Sequence, residues 1–161
     1  MLITIIGKRG TGKTTLAKNL TQRINPDNLF IYDFLGEYKQ YKNKCVSYSF
    51  NNTYKVFSDC WNFSKPDKIN LLICDEIDLY GYNNKYLEFL YRYGRHKNIS
   101  TIAVSRRFYN LPLYVRALTE IFYLAKITEE RDLNYLKSLA GKSLIEKVKN
   151  IENFKFIKLE L

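Results

Sequence analysis

The fold of this chain is decided by residues 7–14, which read Gly-Lys-Arg-Gly-Thr-Gly-Lys-Thr. This stretch satisfies the phosphate-loop pattern G-x-x-x-x-G-K-[S/T]. A short β-rich run, Leu2–Ile6, leads into it, and apolar residues at helical spacing follow it as far as Pro26. A strand, a glycine-rich turn and a helix in this order predict a loop whose backbone N–H groups turn inward and bind a triphosphate.

The loop supplies a set of candidate nucleotide-binding residues. Lys13 is long enough to reach the β- and γ-phosphates, so it is also a candidate catalytic residue. The Thr14 hydroxyl is a candidate ligand of Mg²⁺, and Thr15 either joins the nucleotide site or packs and caps the helix. A strand-to-helix turn that binds no ligand is the alternative. The full set is Gly7, Gly10, Thr11, Gly12, Lys13, Thr14 and Thr15.

A second candidate motif lies in the middle of the chain, where the apolar residues 71–74 run into Asp75 and Glu76. At the end of a buried strand beside the phosphate loop, Asp75 would hold Mg²⁺, usually through water. Glu76 would accept a proton from the attacking water or orient it. A kinase gains little from a carboxylate that activates water, so the pair favours hydrolysis. Two carboxylates that only end a strand at the surface are the alternative.

The rest of the chain alternates between short apolar runs and helical patterns, which is typical of a parallel sheet covered on both faces. Further strands are predicted near residues 29–32, 46–50, 69–74, 101–104, 121–124 and 154–159, and further helices near residues 54–63, 87–91, 131–139 and 143–149. The predicted fold is α/β: a P-loop NTPase three-layer sandwich with a central, mainly parallel sheet flanked by helices. The length of 161 residues favours a single domain over residues 1–161.

Composition limits the class of protein. With 46% apolar residues the chain can bury a core, so wholesale disorder is excluded. No apolar run approaches the ~20 residues of a membrane span, and no signal peptide is visible. Cys45, Cys60 and Cys74 show neither CxxC pairing nor metal spacing, which indicates reduced thiols in a reducing compartment. We therefore expect a cytoplasmic protein with no membrane partner.

The charge of the chain points to a polyanionic partner. Lys and Arg outnumber Asp and Glu by 26 to 16, which gives a net charge of +10. The basic stretch, residues 85–116, has seven Lys or Arg residues against one acid, Glu88, with aromatic residues interleaved. Cations bind phosphates without reading sequence, so this stretch predicts a sequence-independent contact with DNA. A solvated lysine-rich surface with core aromatics is the alternative.

Together these motifs resemble the FtsK–HerA superfamily of DNA-pumping ATPases, and within it the viral genome-packaging ATPases. Three segments carry the resemblance beyond the general motifs. Residues 31–38, Ile-Tyr-Asp-Phe-Leu-Gly-Glu-Tyr, are similar to a strand-Asp-x-x-Gly-Glu-Tyr segment. Residues 92–102 are similar to an arginine-containing helix end that leads into the fourth strand. Residues 104–112, Val-Ser-Arg-Arg-Phe-Tyr-Asn-Leu-Pro, are similar to a strand-end motif usually written T/S-Q-R-P.

The resemblance implies a ring of subunits, often a hexamer, with ATP between neighbours. One subunit would insert an arginine into the next subunit's site, where a guanidinium stabilises the transferring phosphoryl oxygens. Arg95 is the first candidate for this arginine finger and Arg92 the second, and an exposed basic helix end is the alternative for both. Arg106 stands where the family usually has a glutamine that senses the γ-phosphate. As an arginine it would serve as that sensor, as a second finger or as a DNA contact.

The favoured hypothesis is a Mg²⁺-dependent ATPase that translocates DNA, with packaging of double-stranded viral DNA into a capsid as its task. Capsid proteins would be further partners, and the protein would lie in the host cytoplasm or in the virion. The small size, without a membrane segment or a DNA-orienting domain, favours packaging over chromosome segregation or filamentous-phage assembly. A small-molecule or nucleotide kinase of the P-loop class is the first alternative. A nucleotide-gated DNA-binding or scaffold module with little turnover is the second.

Overall fold

The central feature of the molecule is a seven-stranded sheet, seen in a computed structural model that describes residues 1–49 and 52–161. The strands lie in the order β3-β2-β4-β5-β1-β6-β7, and every neighbouring pair is parallel except β6 with β7. The predicted mainly parallel sheet is therefore confirmed. The strands are β1 (Leu2–Ile6), β2 (Asn28–Tyr32), β3 (Ser47–Ser49), β4 (Asn70–Cys74), β5 (Ile99–Ser105), β6 (Ile121–Leu124) and β7 (Ile157–Glu160).

In the described part of the chain, five α-helices flank this sheet: α1 (Lys13–Ile24), α2 (Thr53–Phe63), α3 (Lys85–Tyr93), α4 (Leu113–Leu118) and α5 (Glu130–Asn150). Helix α1 covers one face, where Ala17 shares a buried cluster with Ile5 and Ile73. Helices α2 to α5 cover the other face, where Phe57 and Leu87 belong to a second cluster. The predicted three-layer sandwich is confirmed. Within the described residues, no helix has both the length and the apolar character needed to cross a bilayer.

Four details of the fold differ from the predicted pattern. Helix α4 was not predicted, because its six residues are too few to display a helical period. The last strand begins at Ile157 and not at residue 154, because Phe154 has a φ of +63° that breaks an extended chain. The strand predicted at residues 46–50 is present at 47–49, and residue 50 lies outside the described residues. The two helices predicted near the C-terminus are the halves of α5, which is interrupted at Gly141.

The order of the strands brings the candidate residues to one edge of the sheet. Strand β1 pairs with β5, and β5 pairs with β4, all in parallel, so the C-terminal ends of these three strands meet. The phosphate loop follows β1, Asp75 and Glu76 follow β4, and Arg106 follows β5. We call this side of the molecule the phosphate edge.

Candidate active site

The phosphate loop adopts backbone conformations that depend on its glycines. Gly10 and Gly12 have φ angles of 78° and 87°, in the left-handed region that other residues rarely adopt. Gly7 is required for space, because a Cβ there would lie 2.5 Å from the Cβ of Ala125, just beyond β6. Helix α1 begins at Lys13, so the free N–H groups of its first turn and its positive dipole end face the loop. The loop is therefore built as an anion site.

Lys13 is the cation of this site. It is 7% exposed, and its Nζ donates a hydrogen bond of 2.9 Å to the backbone oxygen of Lys8. The Thr11 hydroxyl donates to the same oxygen at 2.8 Å. Burial lowers the pKa of Lys13, and the carboxylate of Glu76 opposes this effect by favouring the charged amine. A poorly hydrated ammonium of this kind gains strongly from a nearby triphosphate.

A carboxylate that the sequence analysis did not assign to the site, Glu37, lies beside the loop. The Thr14 hydroxyl donates to its Oε2 at 2.7 Å. Asp33 orders the turn that carries Glu37, because its two oxygens accept the backbone N–H groups of Glu37 and Tyr38, each at 2.9 Å. The Tyr48 hydroxyl donates to the same carboxylate at 2.8 Å. The Gly-Glu-Tyr end of the 31–38 segment is the sequence signal that points to Glu37.

The acidic pair is buried at the end of β4. Asp75 is 1% exposed and Glu76 is 7% exposed. Burial, followed by the nearby carboxylates of Glu76, Glu37 and Asp33, raises the pKa of Asp75 to about 7. Glu76 has a φ of 49°, a left-handed conformation that costs a residue with a side chain about 1 kcal/mol. Strained backbone of this kind concentrates at functional sites.

The oxygen atoms at the phosphate edge fit a magnesium ion. In sites for phosphorylated substrates, Mg²⁺ takes one or two protein oxygens and completes its shell with water and phosphate oxygens. Thr14 offers a hydroxyl, and Asp75 offers a carboxylate whose Oδ2 has no hydrogen-bond partner among the described residues. Carboxylates that crowd together repel one another, so a cation placed among them is stabilised. These two residues are the ones that the sequence analysis predicts as ligands.

Arg106 forms an ion pair with Glu76, an arrangement that the sequence analysis did not predict. Its Nη2 and Nε donate to Oε1 of Glu76 at 3.0 and 3.1 Å, and Nε lies 2.9 Å from Oε2. The Glu76 side chain is 9% exposed, whereas that of Arg106 is 43% exposed. Hydrogen bonding to Glu76 raises the pKa of Arg106, which remains a fixed cation. The candidate water-activating carboxylate is thus held by the candidate phosphate sensor.

Arg92 and Arg95 lie away from the phosphate edge. Both precede β5, so they are at the edge of the sheet where the parallel strands begin. The seven residues of β5 span about 20 Å, which is too far for either arginine to reach the phosphate loop of its own chain. Arg92 pairs with Glu88 at 2.7 Å. Arg95 lines a cavity of about 200 Å³ together with residues that include Glu120.

The basic stretch has most of its cations engaged within the chain. Arg107 lies 3.2 Å from Glu129, and the Arg116 guanidinium lies over the ring of Tyr135. Carboxylate partners offset the positive charge of three cations of the stretch: Arg92, Arg106 and Arg107. Lys97 and Arg116 have neutral partners and keep their charge.

A cleft of about 530 Å³ opens beside the phosphate loop, within the size range of small-molecule sites. Thr15 is exposed in its wall. Phe154, from the segment between α5 and β7, also lines it, although no local sequence pattern marks this residue. The complete lining is Gly10, Gly12, Thr14, Thr15, Lys18, Glu37 and Phe154.

The sheet order, the loop after β1 and the acidic pair after β4 define the fold of a P-loop NTPase. The genome packaging NTPase B204 from Sulfolobus turreted icosahedral virus 2, solved with ATP-γS, shares this fold with a TM-score of 0.79 at 18% identity. That match covers 99% of this chain and 91% of that one. The chain belongs to the poxvirus A32 protein family, whose model matches residues 1–158. The predicted likeness to viral genome-packaging ATPases is confirmed.

Two less similar structures share the fold. The cytoplasmic domain of EssC has a TM-score of 0.61 at 18% identity, over 87% of this chain and 33% of that one. The N-terminal domain of zonular occludens toxin from Neisseria meningitidis has a TM-score of 0.52 at 16% identity, over 81% and 78%. No curated protein matches the chain in sequence. At such identities the solved structures show the fold alone, and the family model shows the family.

Proposed function

We propose that this chain hydrolyses ATP in order to move double-stranded viral DNA into a capsid. The observation that carries the proposal is the meeting of the phosphate loop, the buried acidic pair and Arg106 at one edge of the sheet. Membership of the poxvirus A32 protein family supports it, as does the likeness to a genome packaging NTPase. The net charge of +10 suits a polyanionic cargo.

Each residue of the phosphate edge has a role in the proposed reaction. Lys13 and the backbone N–H groups of the loop bind the β- and γ-phosphates. Thr14 and Asp75 would hold Mg²⁺, which when bound neutralises charge on the phosphate oxygens. Glu76 accepts a proton from the water that attacks the γ-phosphorus, while the bond from this phosphorus to the bridging oxygen breaks and ADP leaves. Because a carboxylate that activates water is of little use to a kinase, Glu76 favours hydrolysis over a kinase reaction.

Arg106 would couple the binding of ATP to the release of Glu76. In the ion pair, guanidinium N–H groups occupy the carboxylate that must take a proton from water. A γ-phosphate in the loop would compete for the partly exposed guanidinium, because arginine binds phosphate and carboxylate oxygens with the same geometry. Arg106 would then act as the phosphate sensor that the sequence analysis considered.

The arginine finger is proposed to act between subunits of a ring, for which a hexamer is the expected size. Arg95 and Arg92 cannot serve their own phosphate loop, so either one would serve the loop of a neighbouring copy. Arg95 is preferred because Arg92 is already paired with Glu88. Among the described residues Arg95 has no ion pair. In this proposal the opposite edges of two chains together form each complete site.

The proposed function is tested by the ATPase rate with and without long duplex DNA. We expect duplex DNA of any sequence to stimulate the rate, and the stimulation to fall steeply with added salt, because phosphate contacts release counterions. Glu76→Gln should still bind ATP but lose turnover, while Glu146→Gln on the exposed face of α5 should retain it. An ATPase rate that does not change when DNA is added, or a stimulation by DNA that does not change with salt concentration, would contradict the proposal.

One observation favours a second candidate function, a nucleotide-gated binding or scaffold module with little turnover. If the pair between Arg106 and Glu76 persists when ATP is bound, the carboxylate stays blocked and the nucleotide acts as a ligand. The rate of phosphate release, compared between the wild type and Glu76→Gln, then separates the two candidates. In a module, Glu76→Gln leaves this slow rate unchanged. In a motor it lowers the rate by about 100-fold or more, the usual effect of losing a general base.

A further inference from the structure

The C-terminal segment brings an aromatic side chain onto the phosphate loop. Strand β7 lies beside β6, and β6 lies beside β1, so the turn before β7 ends next to the loop that follows β1. In that turn the ring of Phe154 lies against Gly12: a Cβ on Gly12 would come within 2.7 Å of the ring carbon Cδ1. The ring therefore occupies space that only a glycine at position 12 leaves open.

Core packing does not explain why Phe154 holds this position. The residue is 70% exposed, whereas phenylalanine in this chain is mostly buried when it serves the core, as Phe30 and Phe57 are. It also has a φ of +63°, a conformation that is unfavourable for a bulky side chain. Strained backbone conformations cluster at active sites and where ligands are held. Among the described residues, the ring of Phe154 leaves most of its surface uncovered and accessible to a partner.

The cleft beside the loop shows where that partner would lie. Thr14, which follows Lys13 in the phosphate loop, marks the end of the cleft where the proposed function places the phosphates, so the rest of a nucleotide would continue along the open part of the cleft. Phe154 is the one aromatic residue among the described residues that line it. Its neighbours there, Gly10 and Gly12, carry no side chain that would stand between the ring and a ligand. A flat apolar group therefore meets an exposed aromatic face at this point.

We propose that Phe154 stacks against the nucleobase of the bound nucleotide. This inference rests on the proposed function, because it concerns the same nucleotide. Stacking on an aromatic face is open to every base, so Phe154 contributes affinity for a nucleotide over inorganic phosphates without reading the hydrogen-bonding edge of the base. Phe154 is thus a binding residue, supplied by the end of the chain most distant in sequence from the phosphate loop.

The test compares two ligands that differ by the presence of a nucleoside, which carries the base. Calorimetry with Mg²⁺ measures the affinity of the full chain for ATP and for inorganic tripolyphosphate. Phe154→Asn removes the ring, and asparagine tolerates the left-handed backbone at this position. We expect this variant to bind ATP about 10-fold more weakly or worse and to bind tripolyphosphate as the wild type does. Phe154→Tyr keeps an aromatic face and should restore the affinity for ATP.

A spectroscopic signal gives a second measurement. The triphosphate of 2-aminopurine riboside loses fluorescence when its base stacks, so the wild type should quench it on binding and Phe154→Asn should not. Phe63→Ala is the matched control, because Phe63 is also exposed but belongs to α2, on the other face of the sheet. This control should behave as the wild type in both measurements.

The outcomes separate this inference from the proposed function. An equal loss of affinity for ATP and for tripolyphosphate in Phe154→Asn would show that the ring only supports the loop, and would overturn the inference. Unchanged affinity for ATP, or quenching that survives the loss of the ring, would overturn it as well. In both cases the wild type still binds ATP, so the proposed function stands. A wild type that binds neither ligand would refute the proposed function and the inference together.

Discussion

At the scale of single residues, the phosphate edge holds buried charged groups that lower the stability of the folded chain. Asp75 is buried among other carboxylates, of which Glu76 and Glu37 act most strongly on it. The cations near it, Lys13 and Arg106, are bound to other partners within the chain. Burial of a carboxylate without its own cation disfavours the charged form, which is the physical cause of its raised pKa. This arrangement suits a site that is completed by a metal-bound nucleotide.

The first residue-scale prediction concerns stability and pH. The folded-state pKa of Asp75, about 7, is higher than the unfolded value of about 3.9. Between these values the folded state binds more protons than the unfolded state, so the stabilising effect of the protonated carboxyl is lost as pH rises. Asp75→Asn should therefore be more stable than the wild type at pH 8, by up to about 4 kcal/mol, and close to it at pH 4.

Urea unfolding of the metal-free protein in EDTA measures this difference. The free energy of unfolding is compared between Asp75→Asn and the wild type at several values of pH. A difference that stays constant from pH 4 to pH 8 would show that the carboxyl does not titrate in this range.

The second residue-scale prediction concerns Lys13. Lys13→Ala should abolish ATP hydrolysis, because it removes the ammonium that neutralises the β- and γ-phosphates. Lys8→Ala is the matched control: its exposed side chain lies in the same loop, and only its backbone oxygen contacts Lys13. Release of inorganic phosphate measures both variants. Normal turnover in Lys13→Ala would refute the assignment of the site.

At the scale of elements, β5 is the strand that joins the two motifs into one site. It pairs with β1 on one side and with β4 on the other. The residue that follows its C-terminal end, Arg106, therefore lies between the phosphate loop and the acidic pair. A direct pairing of β1 with β4 would leave no strand end at this position. The strand order explains why an arginine here reaches Glu76.

The element-scale prediction concerns this position. If Arg106 senses the γ-phosphate, Arg106→Ala should lower the affinity for ATP but not for ADP, and should slow hydrolysis by about 100- to 1,000-fold. Arg107→Ala is the neighbouring control, because Arg107 pairs with Glu129 whereas Arg106 pairs with Glu76. Calorimetry with the two nucleotides measures the ratio of affinities. An equal ratio in the wild type and Arg106→Ala would argue against a sensor.

At the scale of the whole molecule, the two candidate halves of the site are at opposite edges of the sheet. The phosphate loop and the acids lie where the parallel strands end, and Arg95 lies where they begin. One chain therefore cannot bring its own finger to its own nucleotide. In the proposed head-to-tail ring, each copy would offer one edge to each neighbour, and the next chain would complete every site.

The whole-molecule prediction concerns mixed rings. Arg95→Ala and Glu76→Gln should each be slow in hydrolysis when assembled alone. Mixing the two should restore part of the activity, because some sites then combine the intact Glu76 of one chain with the intact Arg95 of the next. The control is a single chain that carries both substitutions, which should stay inactive alone. Mixtures with no recovery would count against a finger that acts between subunits.

Much of the fold was predictable because its signals are local. The phosphate loop, the strand before it and the helix after it form one continuous stretch, and the buried strand β4 is marked by consecutive apolar residues that end at Asp75. The six residues of α4 and the late start of β7 were not predictable, since a short helix shows no period and the φ of Phe154 depends on its surroundings.

By itself the sequence determined the chemistry that is present: a cradle for phosphates, a hydroxyl and two carboxylates, because each of these is set by neighbouring residues. Only the tertiary structure decided which groups meet. The hydrogen bond from Thr14 to Glu37, the ion pair between Arg106 and Glu76, and the position of Phe154 join segments that are far apart in the chain. The reason is physical: strand order and the turns between elements fix these distances, and local spacing along the chain does not encode them.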